Sequence, residues 1–247
     1  WKVVATDPSG SNTSSIMNFT VKTVPEWSYS TGNDVLAVAF SSDGEYMVVG
    51  SKDNKVYLFN KDSSTPLWSY ETDNDVYSVA ISGDGEYIAA GSDDNKIYFF
   101  DKDSSTPEWS SNLGDDVRAV AVSVDGETIV AGAYNAKVFL FGKDSGDPVW
   151  SYDTGNLNIE TIDISADGNY IVTGGEDSDV RLFGKDSSTP QWSYSTGSMV
   201  TDVSISSDGE YIVAGSNDNK AYLFDKDSST PVWKFTAGND VIAVDLS

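Results

Sequence analysis

Cysteine and histidine are both absent from the 247 residues, and each absence closes off a class of chemistry. Without thiolates or imidazoles there is no Cys or His ligand for zinc, no Cys nucleophile and no His-based catalytic triad. Disulfides are excluded too, so the fold has to rest on its hydrophobic core. Positive charge is scarce: 15 Lys plus Arg face 39 Asp plus Glu, a net charge of -24. No basic stripe is available to neutralise phosphates, which argues against nucleic acid as a partner. No run approaches about 18 uninterrupted apolar residues, so no membrane-spanning helix and no direct membrane insertion are expected.

What the chain does have is a repeat. Pro25, Pro66, Pro107, Pro148, Pro190 and Pro231 each stand two residues before a Trp (Trp27, Trp68, Trp109, Trp150, Trp192 and Trp233), at spacings of 41, 41, 41, 42 and 41. A period in this range marks a repeat architecture. The unit starting at Asp75 reads DVYSVAIS, GDG, EYIAAGS, DDNK, IYFFD, KDSST, PEWSY. Its four short runs of Val, Ile, Tyr, Phe and Trp, separated by Gly, Asp, Asn and Ser, are the pattern of strands joined by tight turns. Each unit is therefore expected to be a four-stranded antiparallel sheet. Runs such as VYSVAI and IYFFD are apolar on both faces, so each sheet must stack on copies of itself, and closing the stack into a ring protects its edges. The expected fold is all-β, a β-propeller.

The two ends together supply one more unit. The stretch from Pro231 to Ser247 and the stretch from Trp1 to Val24 add up to one full period of the repeat. DVIAVDLS (Asp240 to Ser247) matches an innermost strand, and WKVVATD, SIMNFTV and PEWSYS can serve as the other three. The expectation is a six-bladed propeller spanning residues 1–247 as a single domain, with 1–31 and 240–247 jointly forming the closing blade in a 3+1 arrangement. A second reading stands beside it for residues 1–24. Their turn departs from the D-N-K pattern, and they also resemble the last hairpin of an immunoglobulin-like domain.

The repeats over residues 34–65, 75–106 and 199–230 share S-x-D-G-E-Y and G-S-x-D-N-K, and in this they resemble the WD-repeat propellers. Two departures stand out. The family's Gly-His pair is missing, and Phe59, Phe100, Phe141, Phe183 and Phe224 occupy the place of the Trp in Trp-Asp. The buried Asp-His-Ser-Trp network of that family therefore cannot form. The eight-residue step from Asp101 to Trp109 is similar to the docking motif of quinoprotein (PQQ-like) propellers, whose Trp packs between neighbouring blades. The step recurs at Asn60 and Trp68, Gly142 and Trp150, Gly184 and Trp192, and Asp225 and Trp233. What the resemblance implies is a fold with structural tryptophans. The dedicated quinone ligands of the dehydrogenases have no counterpart in this sequence, so no activity is implied.

Most of the repeated residues have an architectural explanation. The Asp-Gly pairs at Asp43, Asp84, Asp125, Asp167 and Asp208 supply the positive φ that a tight hairpin needs. The Asp-x-Asp of the K-D-S-S-T-P loops (Asp101 and Asp103, Asp225 and Asp227) reads as Asx-turn capping, because calcium wants a denser array of oxygens. Function is sought where one copy departs from the rest, since the shared fold cannot account for what differs. Innermost strands that elsewhere carry Leu36, Tyr77 or Ile242 have Arg118, Glu160 and Thr201. Where others have Ala or Ser, Asp163, Asp202 and Asp245 occur. These three carboxylates are the candidate metal site, a weak calcium site being the one cofactor considered. The loops beside that strand also depart, at Tyr134, Asn135, Glu176, Asp179 and Arg181, and together with Arg118 and Glu160 these are the candidate ligand- or partner-binding residues. Asn12 and Asn18 lie in N-glycosylation sequons, which fits an extracellular or cell-surface protein.

The functional expectation is a non-enzymatic binding or scaffolding module with a protein or glycan partner, acting as a monomer and without a cofactor. Its rivals are a lectin-like propeller, and a PQQ-type oxidoreductase or a lyase- or hydrolase-like enzyme using carboxylates near the axis.

Overall fold

In the computed structural model, which describes residues 27–155 and 157–246, every regular element is a β-strand. Blade 1 consists of β1 (Val35–Phe40), β2 (Tyr46–Ser51), β3 (Lys55–Asn60) and β4 (Trp68–Glu71). Blade 2 is β5 (Val76–Ile81), β6 (Tyr87–Ser92), β7 (Lys96–Asp101) and β8 (Trp109–Asn112). Blade 3 is β9 (Val117–Val122), β10 (Thr128–Ala133), β11 (Lys137–Gly142) and β12 (Trp150–Asp153). Blade 4 is β13 (Ile159–Ile164), β14 (Tyr170–Gly175), β15 (Asp179–Gly184) and β16 (Trp192–Ser195). Blade 5 is β17 (Val200–Ile205), β18 (Tyr211–Ser216), β19 (Lys220–Asp225) and β20 (Trp233–Thr236). Each blade is an antiparallel meander with its strands paired in chain order, and the first strands β1, β5, β9, β13 and β17 lie side by side as the inner row.

The turn between the first two strands of a blade is built from S-x-D-G. In blade 2 the Ser82 hydroxyl donates to Asp84 at 2.7 Å and accepts the Tyr87 amide at 3.0 Å, while Asp84 also accepts the Glu86 amide at 3.0 Å. Gly85 takes φ +77°, a conformation open to glycine at little cost. Consecutive turns are tied to one another by backbone bonds, from the Ser42 amide to the Gly83 carbonyl (2.9 Å), Gly83 to Val124 (2.9 Å), Val124 to Ala166 (3.0 Å) and Ala166 to Ser207 (3.1 Å). These turns form the lower face.

The core lies between blades rather than within them. Val48, Val56 and Leu58 of blade 1 pack with Val76, Ile88 and Phe100 of blade 2, and the same arrangement recurs at each later seam. Glycine at the end of each second strand lets the blades close up: a Cβ on Gly132 would sit 2.4 Å from Ile159 Cγ2 of the next blade. The tryptophans bridge the same seams from outside. The Trp68 indole N–H donates to the Lys102 carbonyl at 2.7 Å, and its ring lies 5.2 Å from Phe100; Trp109, Trp150 and Trp192 repeat both contacts one blade further on. The structural reading of the tryptophans is thus met.

Five complete blades are described, where the sequence predicts six. Of the expected closing blade, residues 1–26 and Ser247 lie outside the described residues, as do the sequons at Asn12 and Asn18. Residues 27–31 and Asp240–Leu246 are described and carry no strand assignment.

Candidate functional site

Each inner strand begins with a β-bulge. Pairing runs from Val76 with Ser92 to Ser78 with Gly91, skipping Tyr77, and the same slip skips Leu36, Arg118, Glu160 and Thr201 in the other blades. A bulge frees one residue from the ladder and re-aims its side chain. The five residues, the departing Arg118, Glu160 and Thr201 among them, therefore occupy one structural position repeated, on the upper face next to the turns that join second and third strands.

Three of the candidate residues, Arg118, Tyr134 and Glu160, meet there, and the structure adds partners to them. The Arg118 guanidinium lies 3.4 Å from the ring centre of Tyr77 and 4.7 Å from that of Tyr134. Its Nε is 3.0 Å from Asp93 Oδ1, and its second terminal nitrogen reaches Asp116 at 3.3 Å. Tyr134 then donates to Glu160 at 3.1 Å. Blades 2, 3 and 4 are thereby stitched together by one chain of contacts. Burial pushes the Asp93 carboxyl up to about 6, even with Arg118 beside it. Burial, followed by the Glu160 charge, pushes the Tyr134 phenol up to about 12. Asn135 turns away from this group and donates to the Leu113 carbonyl at 2.6 Å.

Arg181 and Asp179 form a second, separate group. Arg181 is 6% exposed and pairs with Asp177 at 2.6 Å and Asp179 at 2.9 Å. In blades 1 and 2 the equivalent residues are Tyr57 and Tyr98, whose hydroxyls donate to Asp53 and Asp94 at 2.6 and 2.5 Å. Arg181 thus replaces a buried tyrosine and makes the same link to the aspartate four residues before it. Glu176 is exposed and accepts the Asn158 amide at 3.5 Å. Of the seven candidates, Arg118, Tyr134 and Glu160 are brought together, whereas Asn135, Asp179 and Arg181 are engaged in holding their own loops.

The three carboxylates of the candidate metal site each have surroundings of their own. Among the described residues no group of three or more carboxylates is placed to hold a metal ion. The Asp163 oxygens accept the Ile164 amide at 2.8 Å and the Ile205 amide of the next blade at 2.9 Å. Asp202 accepts the Val244 amide at 2.9 Å and the Thr161 hydroxyl at 3.1 Å, while Asp245 is exposed. Desolvation raises the Asp163 pKa in spite of its two amide donors. Asp163 and Asp202 meet a need the sequence does not display: amides on the open edge of each inner strand require acceptors. Ser78 serves Val120 at 3.1 Å, Thr161 serves Val203 at 3.1 Å and Ser204 serves Leu246 at 3.2 Å, each across a seam and one repeat further along the chain. The signal in the sequence is a small polar residue where other copies have Ala. The Asp-x-Asp loops behave as Asx turns, with the Asp103 amide on Asp101 at 2.8 Å and the Asp227 amide on Asp225 at 2.9 Å.

With this geometry in hand, comparison with known families adds one result. The family model described as outer membrane protein assembly factor BamB matches residues 2–235. The chain belongs to this family of PQQ-like propeller repeats. No curated protein matches it. The chain's two arginines, Arg118 and Arg181, are both ion-paired with aspartates.

Proposed function

We propose that this chain is a rigid, non-enzymatic binding module, a six-bladed propeller within a secreted or cell-surface protein, with a protein partner engaged on the upper face. The observation that carries this reading is the row of bulges. Five equivalent positions hold Leu36, Tyr77, Arg118, Glu160 and Thr201, five different chemistries on a frame whose other contacts repeat from blade to blade. Variable side chains on a rigid scaffold are how binding surfaces are commonly made. The family description names an assembly factor, which favours a protein partner over a glycan. The stacking of Trp109 against Phe99 and Phe141 at 5.0 and 5.3 Å weighs against the lectin reading, because it commits the ring to packing. Net charge favours a partner with a neutral or basic surface.

The test is a screen of displayed peptides and a glycan array with the wild-type chain, repeated with Glu160→Lys and with the outer-strand variant Ser110→Lys. A peptide ligand lost on Glu160→Lys and kept on Ser110→Lys is the expected result. Saturable binding of pyrroloquinoline quinone with calcium, read by tryptophan fluorescence, would sink the reading in favour of an oxidoreductase.

A further inference from the structure

Each blade carries a lysine just after its third strand, beside the lower-face turn, and four of the five are held in the same way. Lys61, Lys102 and Lys226 reach a glutamate of their own blade, Glu45 at 3.0 Å, Glu86 at 3.5 Å and Glu210 at 3.5 Å, and Lys143 is paired with Glu127. Lys102 and Lys143 also lie over the rings of Tyr46 and Tyr87 in the preceding blade, at 5.7 and 5.6 Å. Blade 4 withdraws both supports. Asn169 stands where the glutamate belongs and Thr128 where the preceding tyrosine belongs. Lys185 keeps the backbone bond of the row, its amide donating to the Asn169 carbonyl at 2.9 Å, but its ammonium makes no ion pair among the described residues. Asp125 of blade 3 feels that charge, yet its carboxylate is already engaged by the Ser123 hydroxyl at 2.6 Å and the Glu127 amide at 3.0 Å.

The same loop lacks an acceptor. In blades 1, 2 and 5 the side chains of Asn60, Asp101 and Asp225 accept the amide two residues further on, at 3.0, 2.8 and 2.9 Å. Gly184 stands at that place in blade 4, so the Asp186 amide has no such oxygen. A Cβ on Gly184 would lie 2.8 Å from Gln191 Nε2. A carboxamide nitrogen therefore stands beside the missing side chain, where the other blades have Leu67, Glu108, Val149 and Val232. Lys185, Asp186 and Gln191 line one cleft of about 540 Å³, together with Tyr170, Ser187 and Thr189. Blade 3 supplies the contrast. Gly142 also lacks the oxygen there, but Lys143 keeps both its glutamate and its tyrosine, and Val149 replaces the glutamine.

An ammonium, a carboxamide N–H and an uncapped main-chain N–H on one cleft are donors without an acceptor, and an anionic oxygen is what would satisfy them. The rest of the wall narrows the choice of anion. Asp186 is exposed at the rim and the whole chain carries a charge of -24, so a polyanion is repelled and a single carboxylate is favoured. Ser187 and Thr189 add hydroxyls that suit a hydroxylated body behind that carboxylate.

We propose that this cleft on blade 4 binds a small hydroxylated monocarboxylate, with a free hexuronate as the type, whose carboxylate sits between Lys185 and the Asp186 amide, in the place that the Asp101 and Asp225 side chains fill in blades 2 and 5. The site lies on the face opposite the row of bulges and stands independently of the partner surface proposed above.

The experiment is a titration of the isotope-labelled full chain with glucuronate, followed through its amide chemical shifts, with acetate and glucose as separate titrants. The Asp186 amide and the Gln191 side-chain amide are expected to move saturably with glucuronate, with a Kd on the order of 1 mM, while the Asp144 amide of blade 3 stays still. Lys185→Gln should weaken binding at least about tenfold. Two changes toward the other blades should abolish it by supplying the missing groups from within. One is Gly184→Asp, whose Cβ meets only the end of the Gln191 side chain; the other is Asn169→Glu, which returns a partner to Lys185. Unmoved shifts in blade 2 report that each variant is folded. An Asp186 amide that does not respond to glucuronate overturns the site, as does full binding by Gly184→Asp and Asn169→Glu. Equal affinity for acetate overturns the hydroxylated ligand, and an equal response to glucose overturns the carboxylate.

Discussion

In blade 2 the Tyr98 hydroxyl donates to Asp94, and at the same place in blade 4 Arg181 is ion-paired with Asp177. The two blades differ again at the inner row, where blade 2 offers Ser78 and Ala80 to its neighbour and blade 4 offers Thr161 and Asp163. The Tyr98 hydroxyl does in blade 2 what the Arg181 guanidinium does in blade 4, while at the inner row Ser78 and Thr161 both serve through hydroxyls and only Asp163 adds a carboxylate where blade 2 has Ala80. Geometry and partner are kept while chemistry is exchanged, so a residue that departs from the repeat is not by that fact a site. The test that separates the cases is whether its polar atoms are already satisfied inside the fold. Arg181 is ion-paired with two aspartates and Asp163 holds two amides, whereas exposed Glu176 has, among the described residues, only the Asn158 amide at 3.5 Å.

The comparison breaks most sharply at Arg181. Replacing it with Leu strands a nearly buried Asp177 and should cost about 3–5 kcal/mol, whereas Arg181→Tyr restores the blade 2 arrangement and should cost much less. Urea midpoints of the two variants decide it, and equal losses would mean that the blades are not interchangeable. Next comes the seam. Asp163→Ala leaves the Ile164 and Ile205 amides without acceptors and should cost about 2–4 kcal/mol, while Asp163→Asn keeps one acceptor oxygen and should regain most of that. Hydrogen exchange at Ile205 would show whether the loss is local to the seam.

Smaller effects sharpen the picture at the upper face. A carboxyl with a raised folded-state pKa holds its proton more tightly in the fold, so the contribution of Asp93 is fully present below its ordinary value of 3.8 and is lost as pH climbs through about 6. The stability difference between wild type and Asp93→Asn should therefore fall as pH rises between those limits, and a flat difference would show that Asp93 does not titrate there. The smallest expected change lies in the second turns. Asn95 holds φ +71° in blade 2, where Ser178 holds φ +67° in blade 4. Asn tolerates this region better than Ser, and Ser178→Gly should raise stability by about 0.5–1 kcal/mol in thermal melts.

The blades are legible in the sequence because the signals that make them are local. The Pro-x-Trp step, the S-x-D-G turn and apolar runs bounded by Gly and Asp each act within a few residues, and every complete blade follows them. The upper face is legible only as a row of irregularities. Nothing local marks Tyr77 or Arg118 as a bulged residue, because the slip is set on the facing strand, where Gly91 and Ser92 or Gly132 and Ala133 take up the pairing. The carboxylates mislead for a similar reason. Asp163 looks costly to bury until its partner is known, and that partner is a main-chain amide in the next repeat, which carries no side-chain signature. Aligning Arg181 with Tyr98, and Asp177 with Asp94, is enough to recognise the pair. The spacing of four is present in the sequence; what it does not state is that a guanidinium and a phenol are equivalent here as donors.

The bonds joining successive turns, from Ser42 through Gly83, Val124 and Ala166 to Ser207, are links in series along the lower face. A tangential pull would load all of them with the same tension, so the weakest seam would part while the blades on either side stayed intact. A pull across a single blade instead shears several strand pairs at once and meets far greater resistance. Mechanically the protein is a jointed belt of stiff plates, one that yields by opening at a joint and can reclose without refolding a plate.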